Sequence, residues 1–273
     1  KHSILYEVTY ETVLKSNRRV YHGAMAQWLA GQGGERADEY AGLIASHFEK
    51  AEEFSQAALW YFRAGKRAAA QYAGEEAIEN FDKALEFTPM DSLTDRYAIL
   101  RERVAMYDLV GKRGQQGADL DLLADLADRI DCVKCRAETA ILHANLFESI
   151  GKYPTALALA QSAIQQVEEH PDFLQTRAGT LLLAEAQMAW GVAALRNEDY
   201  ARAHEALQRV LSLARQIAPG DAQASRSLHL QADALRHLGN LFYFQNETQS
   251  GYTHHYQALE IYRQLGDLRG ESY

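Results

Sequence analysis

One stretch, residues 187–213, restricts the fold of this chain more than any other. It reads QMAWGVAALRNEDYARAHEALQRVLSL, and apolar or small residues recur in it at helical spacing on both sides of a polar Asn-Glu-Asp break. Gly191 and Ala203 have almost no side chain, so two helices can approach closely there, while Trp190 and Leu207 fill the space beside the contact. We therefore expect a helical hairpin with a buried Trp190. Such a hairpin cannot bury its apolar face alone, so it needs similar neighbours.

These residues resemble a known repeat. A large residue, a small one, an aromatic and further small or apolar positions follow the order of the tetratricopeptide (TPR) signature: Trp190, Gly191, Tyr200, Ala203, Leu207 and Val210. The resemblance implies an all-α fold, a right-handed α-α superhelix of TPR-like hairpins. Composition agrees, because 47% of the 273 residues are hydrophobic, only 4 are proline, and no window shows the alternation of a strand.

The same template recurs along the chain in about six units. Ala57 and Ala77 match the same position but lie too close for a whole unit of about 34 residues, so a helix over residues 55–72 must serve two neighbouring hairpins. Pro89 ends the next helix. The third unit is degenerate, since Arg103 stands where a large apolar residue is expected.

Three segments are predicted. Residues 1–30 form a helical junction with a break near Lys15. Residues 31–36 form a Gly-rich linker, and residues 37–273 form the repeat array with a truncated last unit. The junction resembles the region that joins a winged helix to the TPR arm in bacterial signal-transduction (STAND/AAA-type) ATPases, ATPase-linked nucleotide cyclases and transcriptional regulators. The resemblance depends on Lys1, His2, Leu5, Glu7, Tyr10, Leu14, Arg18 or Arg19, and His22. It implies a larger regulator that carries an ATPase or cyclase elsewhere.

Net charge and the lack of recognisable targeting signals limit the kinds of partner that we expect. The net charge is −9, which argues against a non-specific nucleic-acid surface. Arg18 and Arg19 form a basic pair that could contact a phosphate, but we expect internal salt bridges or a solvated surface. No apolar run reaches the roughly 18 residues of a membrane span, and no signal peptide is recognisable. We expect a cytoplasmic protein without direct nucleic-acid or membrane contacts.

No catalytic or metal site can be assembled. Gly-Lys pairs are never followed by the Ser or Thr of a phosphate loop. Cys132 and Cys135 lack the further ligands that zinc requires, and we interpret them as structural thiols. His254 and His255 are adjacent, so on a helix they diverge by about 100°. We predict a non-enzyme without a cofactor.

The inner surface of the first helices remains free to bind a partner in a TPR array. The predicted groove residues lie in the fourth, fifth and sixth units: Asn145, Glu148, Met188, Val192, Leu195, Arg196, Arg236, Asn240 and Tyr243. Arg236, Asn240 and Tyr243 share one helical face, which suits a peptide. Tyr243 and Phe244 could equally pack against another repeat.

The predicted function is therefore a scaffold that binds a protein or peptide, as the sensor arm of a larger signalling protein. Two alternatives stay open: an arm that binds a small inducer in its groove, and a spacer or oligomerisation element that self-associates through its terminal repeats.

Overall fold

The structure is a computed structural model, and it describes residues 9–218, 220 and 223–272. The chain is 84% helical, and none of the described residues lies in a strand. The chain divides into two compact units, Lys1–Ile130 and Asp131–Tyr273. The predicted all-α class is confirmed.

Unit 1, in its described residues, contains six complete helices and one 3-10 segment. They are α1 (Lys15–Gly33), the 3-10 segment Gly34–Tyr40, α2 (Ala41–Lys50), α3 (Phe54–Ala70), α4 (Gly74–Phe87), α5 (Leu93–Leu109) and α6 (Arg113–Ile130). Each helix packs against the next, and α3 packs against both α2 and α4. The predicted double role of the 55–72 helix is therefore confirmed. The helix α3 can pack against two neighbours because it buries both small and aromatic side chains. These buried residues include Ala57, Trp60, Tyr61, Ala64 and Ala68.

Unit 2 contains eight helices in the described residues. They are α7 (Val133–Ser149), α8 (Tyr153–Glu168), α9 (Pro171–Leu174), α10 (Arg177–Arg196), α11 (Tyr200–Ala214), α12 (Ala224–Phe244), α13 (Thr248–Leu265) and α14 (Leu268–Glu271). Consecutive long helices form hairpins, and the first helices also pack on one another, α7 with α10 and α10 with α12. This packing pattern is the one that a TPR array requires.

Short turns join the helices of each hairpin. After α7, Gly151 takes a φ of 77°, and the N–H of Lys152 donates to the carbonyl of Phe147 at 2.8 Å. After α10, Glu198 takes a φ of 61° although it is not glycine, and the N–H of Asp199 donates to the carbonyl of Ala194 at 2.9 Å. A left-handed residue followed by this six-to-one bond is a helix stop. The polar break predicted between α10 and α11 is such a stop.

The central hairpin forms as predicted, with one correction. A Cβ on Gly191 would lie 3.2 Å from both the Ala206 Cβ and the Leu207 Cγ, and Leu207 is fully buried. Trp190, in contrast, is only half-buried and lines an open cavity between α8, α10 and α11. The expectation of a buried Trp190 is wrong because the ring lines this open cavity at the edge of the helix contact.

The Gly-rich segment differs from the prediction in its local structure. The helix α1 continues through residue 33, and a 3-10 segment follows, so residues 31–36 are helical rather than an open linker. The break predicted near Lys15 falls earlier, at Val13 and Leu14. The proposed domain boundaries at residues 30 and 36 remain predictions.

The degenerate third unit contains an ion-pair cluster. Arg103 on α5 donates to both carboxylate oxygens of Asp119 on α6, each at 2.7 Å, and also pairs with Asp82 on α4. The Asp119 side chain is 7% exposed and that of Arg103 14%. Val104, next to Arg103, is buried. The cation thus occupies a position where the repeat template expects an apolar residue, because two carboxylates meet it there.

One helix has the composition of a membrane span. Of the described helices, only α10 is long and apolar enough, and 67% of its apolar window is buried inside the fold. This apolar length was not anticipated from the sequence. The core helix of a helical repeat meets the same criterion, because neighbours pack around most of its surface.

Candidate functional site

Ion pairs connect the first helices of unit 2 to one another. Glu148 on α7 pairs with Arg196 on α10 at 3.1 Å, and Glu185 on α10 receives two hydrogen bonds from Arg226 on α12 at 2.5 and 2.6 Å. Glu148 and Arg196, which the sequence predicted as partner contacts, therefore bind each other. Asn145, one turn before Glu148, is exposed.

The predicted apolar strip on α10 is mostly not a surface. Leu195 is 6% exposed and packs in a cluster with Ala194, Ala203 and Leu241. Met188 and Val192 are half-buried, and Met188 packs against the main core of the unit. The assignment of Leu195 to an open groove is wrong because α7, α8, α11 and α12 all pack against α10 and leave it little free surface.

A cavity of about 350 Å³ lies instead beside α12 and includes two of the predicted residues, Arg236 and Asn240. Its remaining wall comes mainly from α13: Tyr252, His255, Tyr256, Leu259 and Tyr262, with Gly270 and Glu271 from α14. Tyr252 and Tyr256 are 59% and 68% exposed. These tyrosines were missed from the sequence because only first helices were considered as partner surfaces. Their i, i+4 spacing on α13 was the available signal.

Gly239 brings the two helices of this site together. A Cβ at Gly239 would lie 2.6 Å from the Nε2 of His255, so a larger residue would force this imidazole to move away from α12. Gly251 on α13 is similarly close, since its Cβ would lie 3.1 Å from the Gly239 carbonyl oxygen. Gly251 and His255 stand at positions that the repeat usually gives to alanine and an aromatic residue. The structure explains this departure as a glycine–glycine approach.

Arg236 is the cation among the residues that line the cavity. Its guanidinium lies 3.6 Å from Asp233, whose Oδ1 also accepts a hydrogen bond of 2.6 Å from the Tyr262 hydroxyl. Burial, followed by this bond to Asp233, raises the pKa of Tyr262, which stays protonated. Burial, then the charges of Arg236 and Arg196, lowers the pKa of His237 to about 3.

His255 behaves in the same way as His237. Its pKa is lowered by burial, then by Arg236 and His254. Both imidazoles are therefore mostly neutral at pH 7. The cavity combines one guanidinium, an amide, phenol rings and the carboxylate of Glu271, which lies 3.5 Å from Arg263.

Tyr243 and Phe244 lie outside this cavity. Tyr243 is 67% exposed and Phe244 53%, with ring centroids 6.2 Å apart, and Phe244 stacks on Tyr200 at 6.3 Å. Tyr243 thus presents its ring to solvent near the end of α12, while Arg236 and Asn240 contribute to the cavity. The role of Tyr243 in binding remains a prediction.

The cysteine pair has a structural use. The Cys132 sulfur accepts a hydrogen bond of 3.2 Å from the Cys135 N–H and so caps the N-terminus of α7. Burial and this neighbour raise the pKa of Cys135 to about 12, opposite to the shift of a reactive thiol. Within residues 9–218, 220 and 223–272, no three His, Cys, Asp or Glu side chains converge as metal ligands would.

Comparisons with known proteins identify the fold. The sequence matches no protein-family model and no curated protein. Among solved structures, the chain is similar to BtubC (BKLC) from P. vanneervenii, with 13% identity, a TM-score of 0.57 and 93% of each chain covered. It is also similar to the apo form of RapI, with 9% identity, a TM-score of 0.62, and coverage of 97% of this chain and 80% of the other. Both are TPR-like helical repeat proteins. The chain is therefore a TPR-like helical repeat protein, and at these identities the likeness concerns the fold alone.

Proposed function

We propose that this chain is a protein-interaction scaffold and that its unit 2 binds a peptide segment with an acidic residue in the Arg236 cavity. The observation that supports this most directly is the cavity itself, where Arg236 and Asn240 adjoin the exposed tyrosines Tyr252 and Tyr256. The TPR-like fold supports it more generally, because helical repeats commonly present such surfaces to partners.

The chemistry of the cavity favours a peptide with two features. A guanidinium offers a planar pair of donors that matches a carboxylate, and Asn240 adds an amide for a peptide group. Exposed tyrosine rings supply apolar contact area at low conformational cost and retain a hydroxyl for hydrogen bonding. An acidic residue would fix the orientation of the peptide, and an adjacent apolar or aromatic residue would supply most of the affinity.

The wider context is part of the same proposal. The N-terminal resemblance to ATPase-linked regulators supports a sensor arm of a larger cytoplasmic bacterial signalling protein, in which catalysis would reside outside this chain. Nothing in the described residues supplies a nucleotide loop or a metal-ligand cluster of its own. Self-association through terminal repeats is the remaining structural alternative.

One observation favours a second candidate, a small-molecule inducer. The cavity of about 350 Å³ falls within the roughly 300–1,000 Å³ of small-ligand sites, and tyrosine, histidine and arginine side chains line it. An inducer would raise the melting temperature of the isolated chain in a ligand screen, because a ligand that binds only the native state stabilises it. A protein partner that is absent from the screen would not.

A peptide selection tests the main proposal. A random peptide library displayed on phage, selected on the wild-type chain, should yield peptides enriched in Asp or Glu. Tyr256→Ala should weaken the best peptide by about 1–3 kcal/mol, because exposed aromatic anchors carry much of such binding. Arg236→Gln should remove the preference for an acidic residue.

Tyr243→Ala is the matched control, since Tyr243 is as exposed as Tyr256 but lies outside the cavity. If Tyr243→Ala weakened binding and Tyr256→Ala did not, the peptide would occupy the α12 surface first predicted from the sequence. If neither variant changed binding, the spacer interpretation would be favoured.

A further inference from the structure

A cavity in unit 1 collects positive charge in an otherwise acidic protein. It measures about 270 Å³ and is lined by Tyr10, Lys15, Arg18, Arg19, Lys50 and Glu52. Four of these six side chains are cations and only one is a carboxylate, although the whole chain carries a net charge of −9. This local excess opposes the overall charge, so its position needs an explanation of its own.

The two arginines of the cavity are already in ion pairs. Arg18 pairs with Glu11 at 3.0 Å, and Arg19 pairs with Glu52. The internal salt bridges expected for this basic pair are therefore present. Neither Lys15 nor Lys50 forms an ion pair within the described part of the chain. Among the described residues, the side chains that line the cavity and their ion-pair partners leave an excess of two positive charges.

The groups around the cavity also hold their positions through other contacts. The Arg18 guanidinium lies over the Tyr10 ring, 4.8 Å from its centroid, and the Tyr10 hydroxyl is hydrogen-bonded to His22 Nε2 at 2.9 Å. His22 Nδ1 is in turn 2.8 Å from His47 Nδ1, which joins α1 to α2. The cation and the phenol at the cavity are therefore oriented by α1 and α2 before any ligand arrives.

The two histidines report the field of these cations. The pKa of His22 is lowered by burial first and then by His47, Lys50 and Arg18, and the pKa of His47 is lowered by burial and then by Lys50. The imidazoles thus lie close enough to the cavity cations to sense their charge. Their resonances would respond to a compensating anion.

From this geometry we infer that the cavity binds a small oxyanion with two negative charges, such as the phosphate group of a monoester. Lysine ammonium groups are common phosphate ligands that act as point charges, while arginine supplies directed donors. A dianion would compensate the excess charge of Lys15 and Lys50. The inference concerns unit 1 and is independent of the peptide site proposed in unit 2.

The test is a titration of the full chain with sodium sulfate at constant ionic strength, followed by the side-chain NMR signals of its histidines. Sulfate should shift the His22 and His47 signals along a saturating curve and leave those of His170 and His204, in unit 2, unchanged. The same titration with inorganic phosphate and with O-phosphoserine then shows whether the free ion or the monoester binds more tightly. Serine, which lacks the phosphate group, is the control.

Charge-removal variants decide the outcome. Lys15→Gln and Lys50→Gln should each weaken sulfate binding about fivefold, because each removes one neighbouring charge at the surface, and the double variant should abolish saturation. Lys66→Gln, an exposed lysine of α3 outside the cavity, should bind as the wild type does. Wild-type affinity in the double variant, or a shift that rises linearly without saturation, would overturn the inference. Both lysines are exposed, so their replacement should not prevent folding.

Discussion

Asp119→Ala is expected to lower the free energy of unfolding of unit 1 by about 3–5 kcal/mol. The carboxylate is 7% exposed and accepts both hydrogen bonds of the Arg103 fork at 2.7 Å. Its removal leaves a poorly exposed guanidinium with only Asp82, whose side chain is 51% exposed. The cost comes mainly from the guanidinium left behind, because the exposed Asp82 carboxylate alone compensates only part of its lost hydration.

A double variant separates this cause from simple loss of packing. Arg103→Met combined with Asp119→Leu replaces the pair by apolar side chains of similar size, so it should recover most of the lost stability. Urea unfolding measured by circular dichroism gives the free energies, and hydrogen exchange in α4, α5 and α6 localises the change. If Asp119→Ala unfolded at the same urea concentration as the wild type, the ion pair would be hydrated and would contribute little to stability.

Leu207→Ala is expected to cost about 2–5 kcal/mol in unit 2. Leu207 is fully buried in a cluster with Leu181, Val210 and Leu238, and it lies against Gly191 of α10. Truncation removes the contacts of three carbon atoms and leaves a cavity between α10 and α11 that close-packed neighbours cannot fill. Trp190→Ala should cost less than Leu207→Ala, because Trp190 is only half-buried.

Gly191→Ala supplies the matched test of this contact. The added methyl group would lie 3.2 Å from the Leu207 Cγ, so in the wild type it crowds the interface. In the Leu207→Ala background the contacts with the Leu207 side chain are gone and only the one with the Ala206 Cβ remains, so the same methyl is less crowded and also improves helix propensity by up to about 1 kcal/mol. The double variant should therefore be more stable than Leu207→Ala alone. Additive effects of the two changes would contradict a direct contact between these residues.

Local signals predicted the order of the helices and many of their ends. The hairpin of α10 and α11 was readable because small and large residues alternate at helical spacing around a polar stop, and each of these signals acts within a few residues. The helix shared by two hairpins followed from the 20-residue interval between Ala57 and Ala77, since this interval is too short for a whole repeat of about 34 residues. The end of the helix before Pro89 was predicted because proline lacks the N–H that would continue the helix.

The candidate site was only partly predictable. Arg236 and Asn240 were found from their spacing on one helix, and the structure places both at the cavity. Tyr252 and Tyr256 were missed, because their relation to Arg236 depends on how closely α13 approaches α12 at Gly239. Leu195 was misassigned for a similar reason: Leu241, which covers it, lies in another hairpin.

The sequence by itself determined that this protein is a set of helical hairpins with TPR-like packing, because helix period, small residues and turn residues are local properties. Only the tertiary structure decided which surfaces stay open and which charges meet. Arg103 pairs with Asp119, which lies 16 residues further along the chain, and His22 is hydrogen-bonded to His47, 25 residues further along. Such pairings depend on the relative positions of packed helices, which follow from the summed contacts of many side chains and from no single motif.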